Sequence, residues 1–298
     1  MGSLALNFSA FLFLFPIGIR RLLCSFSIYL NNPSLYRSKP WYLSNPRCRS
    51  IDLFALLAAL PIASFSLFFI FFFTSPNHPV YKFTSLQQSS LLFAFWVVLI
   101  IILLREFFDF SLIDDAFLFL FAGTIFLIEY WMMGKGLIVE SLVPSSRVYD
   151  LLAQLALVCS VSCLFLSIKP TAFVAEMGLS LGLVFKGTWV LQAGLLLYSD
   201  AFSIKGCRKI SVPIHNHGTS NAPPPQCELE EDALRGVALI DLLFVGHAIV
   251  VFVLCVVLFG VLNYNGNWRC GEGSRPLMAE IESEERLLTR SIPELEMD

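Results

Sequence analysis

The sequence predicts an all-α membrane protein, a bundle of seven transmembrane helices. Apolar residues make up 56% of the 298 positions and charged residues only 14%. In soluble domains the apolar fraction averages about 45–50% and the charged fraction about 25%. Phenylalanine alone occurs 29 times, so the chain has too little polar surface to cover a soluble core. Lipid is therefore the expected solvent for most of the chain, and the formal charge of −3 gives no basic field for a nucleic acid.

Seven apolar segments are long enough, or nearly long enough, to cross a bilayer, which takes about 20 residues. The second carries a proline near its middle, and the third is short. The first has no basic stretch before it and no small-residue cleavage site, which favours a retained helix over a signal peptide. The predicted segments are Leu4–Ile28, Ile51–Thr74, Ser89–Leu104, Ala116–Met133, Tyr149–Ile168, Phe173–Tyr198 and Val237–Leu262.

The polar parts of the chain define its predicted organisation. Residues 1–262 form the transmembrane domain, which includes a long proline-containing loop at 199–236. Residues 263–298 form a polar, disordered tail with eight acidic and four basic residues. Lysine and arginine favour the side of the first loop by twelve to seven, which predicts an outside N-terminus, an exoplasmic 199–236 loop and a cytosolic C-terminus. The expected location is the plasma membrane or an endomembrane.

Two cysteines in the long loop predict a disulfide. Cys207 and Cys227 bracket its middle on the predicted exoplasmic side, where disulfides persist. The same thiols with His215 and His217 would make a Cys2His2 zinc set in type. That set lacks the rigid short spacings of zinc sites, so no metal is expected.

Small residues inside the segments are expected to pack helices together. Gly178 and Gly182 have the GxxxG spacing that allows close helix approach, either within the bundle or in a dimer. Four cysteines within apolar segments are interpreted as small apolar packing residues. They are Cys24, Cys159, Cys163 and Cys255.

Ionisable residues inside the membrane are costly and mark functional sites. Lys186 lies about 13 residues from either end of the sixth segment, and therefore near the bilayer midplane. It needs a partner, and the candidates are Glu129, Asp241 and Glu176. With His247 such a group would relay protons or bind a polar solute. The alternative interpretation is a structural ion pair that fixes helix packing.

The sixth segment resembles a known family. Residues 187–194 read Gly-Thr-Trp-Val-Leu-Gln-Ala-Gly, followed by Leu197-Tyr198, and are similar to the G-T/L-W-x-x-Q/M-x-G segment of the transmembrane protein 45 family. Asn32-Pro33 after the first segment, Glu129 in the fourth and the Tyr149 start of the fifth are also similar. The resemblance covers roughly residues 1–262. It implies a plant-type seven-span protein with no assigned activity.

This chain also departs from the family pattern. The histidine pair that relatives carry after the glutamate is replaced by Gly134 and Gly136, and the histidine that starts the fifth segment by Asp150. Lys186 stands where relatives carry an uncharged polar residue, often glutamine. The resemblance therefore implies a shared architecture and polar core without the histidine chemistry.

The leading functional hypothesis is a non-enzymatic membrane protein with a polar intramembrane pocket. Trp189 lies three positions after Lys186 on the same helix face, and Gln192 lies about 120° away from it. Gly187 and Gly194 are further candidates for helix packing on this segment. The sequence has no HExxH or phosphate-binding motif, and no cofactor is expected.

Two other functions remain open. One is a transporter or channel for a small solute or proton that uses the intramembrane Glu–Lys–His group. The other is a lipid-modifying membrane enzyme, which has no nucleophile–base pair to support it. Membrane lipid is the expected partner, and a homo-oligomer is an open alternative.

Overall fold

The structure is a computed structural model that describes residues 4–42, 51–73, 79–108, 114–135, 144–198 and 230–265. These residues form seven α-helices and a short 3-10 turn at Pro33–Leu35, so the all-α prediction is confirmed. The helices are α1 (Leu4–Asn31), α2 (Ile51–Phe73), α3 (Pro79–Phe108), α4 (Asp115–Lys135), α5 (Pro144–Ile168), α6 (Phe173–Tyr198) and α7 (Glu230–Asn265).

Two helices extend well beyond their predicted apolar segments. Helix α3 begins ten residues before Ser89, and α7 begins at Glu230, inside the region expected to be loop. Hydropathy marks only the apolar part of a helix, whereas backbone hydrogen bonding continues into polar sequence. Three acidic residues open α7, and negative charge stabilises a helix N-terminus.

Six of the helices are long and apolar enough to cross a membrane. The exception within the described residues is α2, whose apolar stretch Leu53–Phe69 is shorter than the roughly 20 residues that a crossing takes. Helices α2 and α3 run in opposite directions, because Ser64 contacts Ser89 while the earlier Leu57 contacts the later Trp96. Helices α5 and α6 do the same, because Gly178 lies against Ser162 and Gly182 against Cys159. The arrangement is an up-and-down helical bundle.

The surface of the bundle is apolar where a membrane would contact it. The apolar part of α7 has a mean hydropathy of 3.0, yet only 11% of it is buried. The apolar part of α6 has a lower mean hydropathy of 1.4, and 61% of it is buried. The most apolar helix is therefore the most exposed, which is the pattern of a protein dissolved in lipid. The protein is an integral membrane protein.

Helix α6 holds the centre because its glycines let neighbouring helices approach. A Cβ on Gly187 would lie 2.9 Å from the backbone nitrogen of Phe15, and one on Gly194 would lie 2.8 Å from Asn7 Cβ. On α1, a Cβ at Gly18 would lie 2.7 Å from the Val184 nitrogen. These three glycines form the α1–α6 seam.

The GxxxG pair on α6 faces α5 inside the bundle. A Cβ on Gly178 would lie 3.0 Å from Ser162 Oγ, and one on Gly182 would lie 2.9 Å from Cys159 Sγ. Within the chain these glycines therefore serve internal packing.

The cysteines divide into two kinds. Cys159, Cys163 and Cys255 are free and buried, as packing residues would be. Cys24 is disulfide-bonded, so its interpretation as a simple packing residue was wrong. The predicted Cys207–Cys227 disulfide lies outside the described residues, as do the two loop histidines.

We expect Gly187→Ala to destabilise the bundle by about 1–3 kcal/mol, because the new methyl would force the α1 backbone away from α6. The control is Gly246→Ala on α7, where a Cβ has no neighbour within 4 Å. It should be neutral or slightly stabilising, since alanine favours a helix. Thermal unfolding in one detergent compares them, and equal midpoints for both variants would contradict the described α1–α6 seam.

Candidate intramembrane polar sites

Lys186 pairs with Glu129 in the middle of the bundle. The Lys186 ammonium donates to Glu129 Oε2, joining α6 to α4. The two side chains are 5% and 8% exposed, so the pair is closed off from the surroundings. The ammonium also lies 5.1 Å from the centre of the Phe126 ring, a cation–π contact within the same α4 surface.

Asp241, another candidate partner of Lys186, pairs with Arg147 instead. Asp241 Oδ1 accepts a 2.7 Å hydrogen bond from Arg147 Nε, and Arg147 also donates to Asp150 at 2.8 Å. Arg147 and Asp241 are more than a third exposed on average, so this α5–α7 pair contributes about 1 kcal/mol or less. The hypothesis that Asp241 pairs with Lys186 is wrong.

His247 brings α7 against α6 beside this centre, but it does not join the ion pair. Its Nε2 lies 2.8 Å from Thr188 Oγ1. The imidazole stacks on Phe185 with 5.2 Å between ring centres, and Trp189 meets it edge-on at 6.0 Å. The histidine therefore forms part of an aromatic cluster one turn beyond Lys186.

Trp189 and Gln192 differ in their surroundings. Trp189 is fully buried, and its indole Nε1 has no hydrogen-bond partner among the described residues. A buried donor left unpaired costs about 1–3 kcal/mol. Gln192 is half-buried further along α6. Trp189 is thus the stronger candidate for contact with a bound polar group.

A second buried ion pair lies near the start of α6. Arg21 on α1 reaches Glu176, with Nε 2.6 Å from Oε1 and a 2.8 Å hydrogen bond from the second nitrogen to Oε2. The side chains are 10% and 0% exposed. Two parallel contacts between a guanidinium and a carboxylate form the strongest common ion-pair geometry. Glu176 is therefore paired with Arg21 and not with Lys186.

The same arginine binds a non-helical piece of chain that enters the bundle, residues 36–42, which we call the inserted segment. Arg21 donates to the backbone carbonyl oxygens of Pro40 at 2.8 Å and Lys39 at 3.1 Å. Ser38 donates its hydroxyl to Glu176 and its backbone amide to the Pro170 carbonyl at 2.8 Å. The Arg21–Glu176 pair thus replaces the water that these backbone groups would otherwise need.

Side chains of the inserted segment seal it into the bundle. Tyr36, Ser38 and Tyr42 are buried, and Trp41 packs among residues of α1, α2, α3 and α4. The Arg21 guanidinium lies 5.4 Å from the centre of the Tyr42 ring. Burial, with the charge of Glu176 adding to it, raises the pKa of Tyr42, so its hydroxyl stays neutral.

Sequence reasoning missed this second site. Arg21 was included only in the twelve-to-seven bias of lysine and arginine, and Glu176 was considered only as a partner for Lys186. One signal was available, because the adjacent Arg20 and Arg21 sit within an otherwise apolar helix of 28 residues. A charge at that depth requires a partner, and Glu176 is the acidic residue in the first turn of α6.

The fold and these sites define a helical integral membrane protein with paired charges inside its bundle. Residues 115–260, from α4 into α7, match the model of a family of unknown function, DUF716. The matched region contains Glu129, Glu176 and Lys186 but not Arg21. A comparison with curated proteins finds no match. In the part of the chain that the structure describes, no group of three or more metal-ligating side chains comes together.

We expect single changes in the Lys186–Glu129 pair to destabilise the protein by about 3–5 kcal/mol, because each leaves one buried charge without its partner. Lys186→Gln and Glu129→Gln are the single variants. The double variant Lys186→Met/Glu129→Leu removes both charges and should recover most of the loss. Thermal unfolding of purified protein measures this, and a double variant no more stable than the singles would contradict the described pairing.

Proposed function

We propose that this chain is a non-enzymatic, seven-span membrane protein whose functional site is the polar centre around Lys186. In this proposal α2 is the seventh span, extended by sequence flanking its apolar stretch. The resemblance to the transmembrane protein 45 family supports the proposal, since DUF716 includes proteins of that kind. The activity would be the binding of a polar solute or lipid group inside the bilayer.

The observation that carries this proposal is an excess of buried hydrogen-bond donors over acceptors at one level of α6. The Lys186 ammonium has three donors, and Glu129 is its one carboxylate partner in the described residues. One turn on, the buried indole N–H of Trp189 has no hydrogen-bond partner in the part of the chain that the structure describes. A ligand that supplies an acceptor oxygen would relieve that cost, and the closed pair would open to admit it.

Proton or small-solute transport is the second candidate. Polar groups occur at successive levels of α6, from Glu176 through Lys186 to the Thr188–His247 contact. Such a series is typical of proton relays within membranes. Under this candidate, Lys186→Gln would change proton flux and its pH dependence in vesicles loaded with a pH-sensitive dye. Unchanged flux would rule it out and leave the binding proposal standing.

The proposed orientation keeps the C-terminal tail in the cytosol, on the evidence of the lysine and arginine bias. The Cys24 disulfide is the observation against it, because disulfides persist mainly in exoplasmic compartments. Protease protection of the tail in sealed vesicles distinguishes the two orientations. Membrane lipid is the proposed partner. Self-association of the protein can be measured in the same vesicles.

We expect protein purified from membranes to retain a small polar or lipid molecule that depends on the polar centre. The test compares the wild type, the charge-free Lys186→Met/Glu129→Leu variant and the Gly246→Ala control by native mass spectrometry. The wild type and the control should carry the same extra mass, and the charge-free variant should lose it while remaining folded. Identical spectra for all three proteins would overturn the binding proposal.

A further inference from the structure

Helix α7 covers one side of the fully buried Trp189 with two aromatic side chains. Phe244 meets the indole edge-on with 4.9 Å between ring centres, and His247 meets it at 6.0 Å. Both α7 side chains are half-buried, as are Phe185 and Thr188 across the seam on α6. Of the six long apolar helices α7 is the least enclosed, with 11% of its apolar part buried. On this side, side chains of the most exposed helix separate Trp189 from the bilayer.

The hydrogen bonds of Thr188 determine which nitrogen of His247 carries a proton. The Thr188 hydroxyl has one hydrogen, and its oxygen lies 2.9 Å from the Val184 carbonyl oxygen and 3.0 Å from that of Phe185. That hydrogen is directed to the α6 backbone, so His247 Nε2, 2.8 Å from the Thr188 oxygen, is the donor in their contact. In a neutral imidazole the other nitrogen, Nδ1, is then an acceptor. The neutral ring suits a half-buried position inside a membrane, where a charge is costly.

Two polar atoms at this seam therefore have no partner within the described part of the chain. Trp189 Nε1 is a buried donor without an acceptor. His247 Nδ1 is an acceptor, and the hydrogen bond of its ring there is made by Nε2. One hydroxyl satisfies both, because it accepts with its oxygen and donates with its hydrogen. Two hydrogen bonds of about 2.9 Å at one oxygen join nitrogens up to about 5.8 Å apart. That reach is comparable with the 6.0 Å between the two ring centres.

The depth of the seam selects the kind of molecule that brings this hydroxyl. Trp189 follows Lys186 by three residues, so it lies about 5 Å along α6 from the predicted bilayer midplane. A charged phospholipid headgroup is too costly at that depth. Lys186 is closed off by Glu129 on the α4 side, so among the described residues no unpaired charge at this level of α6 attracts an anion. A neutral lipid whose polar group is a single hydroxyl fits these conditions.

We propose that the α6–α7 seam binds a lipid alcohol, with its hydroxyl between Trp189 Nε1 and His247 Nδ1 and its apolar body in the bilayer against α7. The alcohol enters laterally from the lipid by an outward shift of α7, which separates Phe244 and His247 from Trp189. The inference rests on the same Trp189 donor as the proposed function. It goes beyond that function because the Lys186–Glu129 pair stays closed.

The test adds lipid alcohols to the full-length protein in detergent and measures the shift of its thermal unfolding midpoint. Cholesterol is compared with its methyl ether, and hexadecanol with hexadecyl methyl ether, since each ether keeps the apolar body but loses the hydroxyl hydrogen. At least one alcohol should raise the wild-type midpoint saturably, and its ether should bind about fivefold more weakly. The alcohol that acts shows whether the body is a ring system or a chain. No shift, or equal shifts for alcohol and ether in both pairs, would overturn the proposal.

Two variants remove one partner each. Trp189→Phe deletes the indole N–H, and His247→Gln deletes the Nδ1 acceptor while keeping an amide N–H for Thr188. Each should weaken the apparent affinity for the alcohol about fivefold. The shift caused by the alcohol is compared within each variant, so a change in the variant's own stability does not enter. The matched control is Trp131→Phe on α4, the same change at a side chain that is 57% exposed, and it should stay within twofold of the wild type. Unchanged affinity in both site variants, or an equal loss in the control, would rule the site out.

The charge-free Lys186→Met/Glu129→Leu variant separates this proposal from the function proposed for the polar centre. It should keep the response to the alcohol while it loses the molecule expected to be retained at Lys186. If it loses the alcohol response and Trp189→Phe keeps it, the alcohol belongs to the ion pair. That result overturns the α6–α7 site and leaves the proposed function in place.

Discussion

The buried Arg21–Glu176 pair joins α1 to α6 and holds the inserted segment against both helices. A chain segment without regular secondary structure cannot lie inside a membrane protein unless its backbone polar groups find partners. The inserted segment finds them in Arg21, which binds two of its carbonyl oxygens, and in Glu176 and Pro170, which accept from Ser38. One buried ion pair thereby connects α1, α6, the α5–α6 turn and the chain that follows α1.

The close α1–α6 seam makes this pairing possible. Glycines at 18, 187 and 194 bring the two helices together without side chains between them. Arg21 then lies near enough to reach Glu176 along the seam, and α6 is held between α1 and α5. Because α6 is enclosed in this way, Lys186 has little access to water and is neutralised by Glu129 within the bundle. Helix α7 lies at the periphery and contributes mainly apolar surface toward lipid.

Composition and segment length were sufficient to predict the fold class, because each long apolar helix is a continuous run of apolar residues in the sequence. They predicted poorly where a helix continues into polar sequence, as at the start of α3. Lys186 could be recognised as a buried charge from its position alone. Which of the three acidic residues pairs with Lys186 depends on how α4, α6 and α7 are rotated about their axes. No local sequence pattern specifies that rotation. The burial of the inserted segment could not be predicted for the same reason, since residues 36–42 have the composition of an ordinary polar loop.

Amide hydrogen exchange in lipid nanodiscs measures whether the Arg21–Glu176 pair holds residues 36–42 inside the bundle. If Arg21 and Glu176 hold this segment inside the bundle, the Ser38 amide, which donates to the Pro170 carbonyl, exchanges as slowly as the amides of helix α1 in the wild type. Glu176→Gln, which weakens the pair, should speed exchange of the Ser38 amide, whereas Gly246→Ala on α7 should leave it unchanged. Rapid exchange of the Ser38 amide in the wild type would show that the pair does not hold the segment.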